Sequence, residues 1–189
     1  TRLRLRADLL DDAELRDKFG RDLIEMERMV GTTLDYMRGL DSDEPPQPID
    51  VQAMVAAMQA DAEEYGHAIK IEGVVDRPYL GKPAGLRRCL QNLVDNALRY
   101  GKDVSICIED RVAQLAVSVR DRGPGIPAAE LERVFEPFVR LEASRNASTG
   151  GTGLGLSIAR NLAQSMGGDV RLRNREQGGL EARLTLPRS

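Results

Sequence analysis

Gly150-Gly151-Thr152-Gly153-Leu154-Gly155-Leu156-Ser157 stands at the head of an apolar stretch, Leu154 to Met166, whose spacing predicts a helix closed by Gly167-Gly168. The N–H groups of a helix's first turn lack intrahelical partners, and with the positive end of the helix dipole they make a cradle for an anion. Glycines placed there for flexibility alone would carry an entropic cost at every position. Close approach of backbone to a ligand is the better account. Two familiar phosphate loops do not fit. A P-loop requires Lys-Ser/Thr after the last glycine, where Leu156 stands. A dinucleotide-binding turn follows a strand directly, whereas Arg145 to Thr149 reads as polar loop.

Upstream, Asp121-Arg122-Gly123-Pro124-Gly125-Ile126-Pro127 follows the alternating run Leu115 to Val119, a predicted strand. The strand fixes where Asp121 points, and an ionised carboxylate at the mouth of such a turn accepts a hydrogen bond from an exocyclic amine. Alone, Asp-x-Gly-Pro-Gly is equally an ordinary turn. Further upstream, Pro83 to Tyr100 reads as a helix with Leu86, Leu90, Leu93 and Ala97 inward, stopped by Gly101. Asn92, Asn96 and Tyr100 recur every fourth residue and share one stripe. Such amide oxygens suit a hard cation such as Mg²⁺; the competing account is a solvated polar face.

Around these segments the chain alternates helix and strand. Val51 to Tyr65 is a helix ended by Gly66, and His67 to Val75 a strand. Val104 to Ile108 pairs by pattern with the Leu115 strand, Ala128 to Phe135 is a short helix, and residues 139–153 form a long polar loop. A final hairpin, Val170 to Asn174 and Leu180 to Leu186, turns at Gly178-Gly179. Asp41-Ser42-Asp43-Glu44-Pro45-Pro46-Gln47-Pro48 cannot continue a helix and is expected to be a linker over 41–48, between residues 1–40 and a domain over 49–189. Within 1–40, Leu3, Ala7 and Leu10 share a face of one helical stub. A second helix, about Ala13 to Leu40, carries Phe19, Leu23, Met26, Val30 and Met37 as a heptad-like seam, with Thr33 filling the skipped position. That seam calls for a partner chain, unless the helix lies on its own domain.

Composition narrows the classes. In 189 residues, 27 Lys+Arg against 30 Asp+Glu give a net charge of −3, which argues against a dedicated nucleic-acid binder. No apolar run nears the roughly 20 residues that span a bilayer. The basic Thr1-Arg2-Leu3-Arg4-Leu5-Arg6 has no apolar stretch behind it and is not a signal peptide. Cys89 and Cys107 make no disulfide framework or zinc site and are expected to be buried and reduced.

Taken together in this order, the segments resemble the motifs of sensor histidine kinases. Asn92 to Tyr100 is similar to their N box, Asp121 to Gly125 to the first glycine box, Phe135-Glu136-Pro137-Phe138 to the F box, and Gly151 to Ser157 to the second glycine box. The resemblance covers residues 49–189. Tyr100-Gly101, Pro137 to Arg140 and Gly151 to Gly155 are closest to osmosensor-type kinases, and residues 1–40 look like the end of a dimerisation and phosphotransfer hairpin. It implies an α+β fold, a two-layer α/β sandwich of the Bergerat ATP-binding type, preceded by a partial helical hairpin of a dimeric four-helix bundle.

The resemblance also implies roles. Asn96 would ligate Mg²⁺ and Asn92 would assist at the metal or phosphates. Asp121 would accept from the adenine amine of ATP, with Gly123 and Gly125 shaping that pocket. Tyr100 would pack near the base and Arg99 near the phosphates. Residues 139–152 would be a mobile lid, with Gly151, Thr152, Gly153, Leu154 and Gly155 at its hinge and the phosphates. Arg140 would reach the γ-phosphate, where a guanidinium stabilises charge in the transition state. Arg122 departs from the Asn or Asp usual beside the first glycine-box aspartate, which removes the basis for a water-mediated role there.

One element of the family pattern is missing. The phosphoaccepting histidine sits in a His-Glu/Asp-x-x-Thr/Asn-Pro box, but His67 is the chain's one histidine and no proline precedes Pro45. Thr1 to Leu5 looks like sequence just downstream of such a box, so the fragment is expected to start after the acceptor and to be unable to phosphorylate itself. The implied function is γ-phosphoryl transfer from Mg-ATP to a histidine and on to a response regulator aspartate. The implied setting is a homodimer joined through the N-terminal helices, cytoplasmic in a protein tethered at the inner membrane. Two alternatives are a GHKL-type ATPase and a non-catalytic ATP-binding or dimerisation module. The ATPases place a glutamate four residues before the metal asparagine; here that position is Asn92, an amide that cannot act as a base.

Overall fold

The computed structural model describes residues 12, 15–20, 23, 26, 31, 44–141 and 152–188. The chain divides into two compact units, Thr1–Arg38 and Gly39–Ser189. In the first, residues 15–20, 23, 26 and 31 are helical. Asp12 starts that helix: its carbonyl accepts from the Arg16 N–H at 2.9 Å and its Oδ1 from the Leu15 N–H at 3.2 Å. Phe19 and Met26 are 47% and 56% exposed and Leu23 is half-buried, so this unit does not cover that part of the seam itself. Leu3, Ala7, Leu10, Val30, Thr33 and Met37 lie outside the described residues.

The second unit runs β1 (Gln47–Ile49), α1 (Val51–Glu64), β2 (Ile69–Glu72), β3 (Tyr79–Gly81), α2 (Pro83–Tyr100), β4 (Val104–Asp110), β5 (Gln114–Arg120), two 3₁₀ turns (Ala128–Glu130 and Arg133–Phe135), α3 (Gly155–Ser165), β6 (Asp169–Asn174) and β7 (Leu180–Pro187). The main sheet has the order β2-β4-β5-β7-β6, with β2 parallel to β4 and the remaining pairs antiparallel. One face of the sheet meets the helices. Val104, Ile106 and Ile108 of β4, and Leu115, Val117 and Val119 of β5, bury their alternating side chains there. Facing them are Leu86, Leu90, Leu93 and Ala97 of α2 and Ile158, Ala159 and Leu162 of α3, all buried. This is the expected α+β two-layer sandwich.

The other sheet face carries charge. Cross-strand register sets Arg120 beside Glu181 and Glu181 beside Arg173. Glu181, 3% exposed, accepts from Arg120 Nε at 2.6 Å and Arg173 Nε at 3.0 Å. Burial alone would raise its carboxyl pKa, but hydrogen bonds from the two guanidinium groups outweigh that and hold it below the usual range.

Several expectations need correction. Gln47 and Pro48, the end of the expected linker, join Ile49 in β1, which pairs antiparallel with β3. A three-residue strand of a two-stranded sheet tolerates Pro48, whose missing N–H no central ladder requires. His67 is exposed and lies in the loop before the shorter strand β2, its backbone N–H closing the α1 C-terminus by donating to the Ala62 carbonyl. Residues 128–135 make two 3₁₀ turns, not one helix. Of the two free cysteines only Cys89 is buried, its thiol pKa pushed up to about 12 by desolvation; Cys107 is half-buried on the charged face. Among the described residues, no helix is long and apolar enough to cross a membrane.

Candidate functional site

α2 is the platform of the site. Pro83 presets its first turn, and the free N–H groups there are taken by Glu44, whose carboxylate accepts from Ala84 N at 3.1 Å and Gly85 N at 3.4 Å. That end of α2 is therefore closed to an external anion. At the other end Gly101 halts the helix in an extended conformation. Between them Asn92 and Asn96, both half-buried, and Tyr100 lie on the expected stripe.

Three of the sequence segments meet around that stripe. Asn92 donates Nδ2 to the Arg88 carbonyl at 2.8 Å, which fixes the amide and turns Oδ1 toward the start of α3. A Cβ added at Gly155 would stand 3.2 Å from that oxygen. The N terminus of α3 carries no side-chain cap and no acidic residue in its first turn. Among the described residues, and unlike that of α2, this helix end has no side chain on its first-turn N–H groups and can receive an anion. The far end of the stripe meets Asp121: a Cβ at Gly101 would lie 2.7 Å from Asp121 Oδ1, and one at Gly123 would lie 2.6 Å from the Tyr100 carbonyl oxygen.

Asp121 is 5% exposed at the end of β5. Its Oδ1 accepts from Gly123 N at 2.6 Å and from Leu180 N at 3.4 Å. Among the described residues both hydrogen bonds to its side chain fall on Oδ1, and none falls on Oδ2. Gly125, at φ +71°, provides the left-handed turn that carries the loop away.

The start of the F box packs against α3. Phe135 is buried, and the Arg160 guanidinium of α3 sits 4.4 Å from its ring centroid while bonding Glu132 at 2.7 Å and Asp169 at 3.1 Å. Phe138, a non-glycine residue at φ +67°, donates its N–H to the Gly153 carbonyl at 3.0 Å, and Gly153 is itself at φ +70°. The ends of the segment 139–152 are thus joined at its neck. Thr152 and Arg140 are half-buried and Leu154 is buried beside that neck. Gly151 and residues 142–150 lie outside the described residues.

Arg99 is exposed. Arg122 is exposed, 3.8 Å from the more exposed Asp103. Among the described residues no three His, Cys, Asp or Glu side chains converge on a metal position. A bound Mg²⁺ would accordingly draw on the Asn92 and Asn96 amides and ligand phosphates, which fits a hard cation that takes few protein ligands.

Sequence reasoning missed the β6–β7 hairpin as part of the site. Asn174 and Arg175 bond the loop that carries Asp121, and Gly179, at φ +93°, lies against the Asp121 carbonyl. The signal was Gly178-Gly179, which also reads as an ordinary hairpin turn.

Comparison with known proteins identifies the family. Residues 81–189 match the family described as histidine kinase-, DNA gyrase B-, and HSP90-like ATPase. The chain is 43% identical over 190 residues to the sensor histidine kinase GtrS of Pseudomonas aeruginosa, covering 100% of this chain and 39% of that protein. It is 34% identical over 198 residues to the sensor protein RstB of Escherichia coli, covering 98% and 45%. It therefore spans less than half the length of these relatives. Full-length ShkA, solved in complex with AMPPNP, superposes with a TM-score of 0.69 at 26% identity, over 100% of this chain and 42% of that one. The nucleotide-free catalytic domain of the histidine kinase ThkA gives 0.66 at 26%, over 76% and 97%. With more than half of its residues matched, Asn92, Asp121 and Gly155 among them, the chain belongs to the family of histidine kinase-, DNA gyrase B- and HSP90-like ATPases.

Proposed function

We propose that this chain is the ATP-binding catalytic part of a two-component sensor histidine kinase, which moves the γ-phosphoryl group of ATP to a histidine that then supplies a response regulator aspartate. The observation that carries the reading is the convergence on α2: Asn92 Oδ1 faces the uncapped start of α3 at one end, and Asp121 meets Gly101 at the other. A nucleotide laid along the stripe has its base at Asp121 and its phosphates at the α3 N terminus.

Asp121 accepts from the adenine amine, Gly123 and Gly125 give the base room, and Tyr100 packs beside it. Asn96 ligates Mg²⁺, with Asn92 assisting. When bound, that cation neutralises charge on the phosphates. The backbone around Gly153, Leu154 and Gly155 cradles the phosphates, with Gly151 and Thr152 beside it and Arg99 nearby. Arg140 contacts the γ-phosphate. The chain's contribution to phosphoryl transfer is positioning and electrostatic stabilisation, with no covalent intermediate in this domain.

A hydrolytic reading is disfavoured by Asn92. Its amide Nδ2 is spent on the Arg88 carbonyl, and an amide oxygen cannot take a proton from water. His67, exposed in the loop after α1, is not the acceptor in this reading. Calorimetric titration tests the site. Asn96→Ala should weaken ATP binding in the presence of Mg²⁺ and have little effect without it, while Asp121→Asn should lower the preference for ATP over GTP. Unchanged affinity and preference in both variants would contradict the assignment.

A further inference from the structure

The β6–β7 hairpin contributes no residue to the four boxes, yet it holds the loop on which the proposed adenine contact depends. Asn174, the last residue of β6, turns its side-chain amide onto Ile126. Its Oδ1 accepts from the Ile126 N–H at 2.9 Å and its Nδ2 donates to the Ile126 carbonyl at 2.6 Å. One side chain thus satisfies both backbone groups of a loop residue, as a neighbouring strand would. Arg175 donates Nη1 to the Asp121 carbonyl at 2.8 Å.

The same hairpin returns to Asp121 from the other side. The Asp121 N–H donates to the Leu180 carbonyl at 3.0 Å, and the Leu180 N–H donates to Asp121 Oδ1 at 3.4 Å. Gly179 lies against the Asp121 carbonyl so closely that any Cβ would overlap it. Gly125 is bound to the arrangement too, because a Cβ there would stand 2.6 Å from Asn174 Oδ1. Asp121 is therefore gripped at its N–H, its carbonyl and one carboxylate oxygen, and its loop is pinned at Ile126. The hairpin itself is anchored below by Glu181 between Arg120 and Arg173.

We propose that Asn174 and Arg175 are positioning residues that set the selectivity of the nucleotide site for adenine. This rests on the reading of Asp121 as acceptor for the base. An acceptor held at a fixed place favours a purine bearing a 6-amino group over one bearing a 6-oxo group. A loop free to shift can withdraw Asp121 Oδ2 from the amine or relax away from the oxo group. The phosphate end of the site, on α2 and α3, shares none of these contacts. Loss of either residue therefore erodes base discrimination and spares the response to Mg²⁺.

The test uses the full chain carrying Asn174→Ala, Arg175→Ala or Arg175→Lys, with Asp121→Asn as reference. ATP and GTP affinities are measured by calorimetry, with and without Mg²⁺. Asn174 is exposed and its replacement leaves the core intact. The expected result is a fall of roughly tenfold in the ATP-to-GTP affinity ratio for Asn174→Ala and Arg175→Ala, equivalent to the loss of one well-made hydrogen bond. Arg175→Lys should recover part of the ratio, and the Mg²⁺ enhancement should stay at its unmodified value throughout. If Asp121→Asn collapses the ratio while the hairpin variants keep it, the positioning role is overturned and the adenine reading stands. If Asp121→Asn leaves the ratio unchanged, both fall together. A purely architectural role is the answer if the variants lose ATP, GTP and Mg²⁺ response in equal proportion, and this too overturns the proposal.

Discussion

Gly101 lies against the side chain of Asp121, so that a Cβ at residue 101 would stand 2.5 Å from Cγ and 2.7 Å from Oδ1. The residue that ends the asparagine helix therefore also sets the position of the carboxylate at the opposite wall.

Gly101 has φ −118°, a conformation open to any residue, so alanine there brings only its methyl group. Gly101→Ala should displace Asp121 and cost about 1–3 kcal/mol, the range for overpacking a filled site. ATP binding should weaken more than thermal stability suggests, since the displaced group is the proposed base contact. Thermal denaturation and ATP titration of the same preparation check this.

A second expectation concerns acid. Glu181 has its folded-state pKa held below the usual carboxylate range, as do Glu109, chiefly by its hydrogen bond from Arg183, and Asp110, where burial opposes but Arg77 and Arg188 prevail. A depressed folded pKa contributes stability that is fully present above the unfolded pKa, about 4.3 for glutamate, and is lost as pH falls through the folded value. Glu181→Gln should lower stability at neutral pH by about 1–3 kcal/mol. Its melting temperature should also fall less steeply than that of the unmodified chain below about pH 4.3.

The extent to which the site was legible in the sequence differed by segment. Pro83 and Gly101 bracket α2 at the expected residues, because one fixes φ and the other closes the turn. The inward leucines of α2 and the alternation in β4 and β5 follow directly from side-chain period. β1 and β3 escaped notice because three residues, one of them Pro48, carry no readable alternation. The hairpin's grip on Asp121 was hidden for another reason. Asn174 and Arg175 act on residues roughly fifty positions away, and no local pattern predicts such a contact. Gly101 and Gly123 read as helix stop and turn residues, when their further requirement is close approach to Asp121 and Tyr100.

The N-terminal unit should self-associate. Phe19 and Met26 are about half exposed on their helix, and burying such side chains contributes roughly 1.5–3 kcal/mol each. Sedimentation velocity over a concentration series should show a monomer–dimer equilibrium, and Phe19→Glu should shift it to monomer. A concentration-independent monomer would contradict a shared seam.

The central claim is that the site delivers a phosphoryl group to a histidine that His67 does not provide. The most direct measurement is incubation with ATP labelled at the γ-phosphate, with the chain alone and with a separate histidine-bearing helical hairpin. The account predicts no label on the chain alone, and Mg²⁺-dependent, acid-labile label on the hairpin that is lost with Asn96→Ala. Acid-labile label on the chain alone, or release of free phosphate with none on the hairpin, would contradict it.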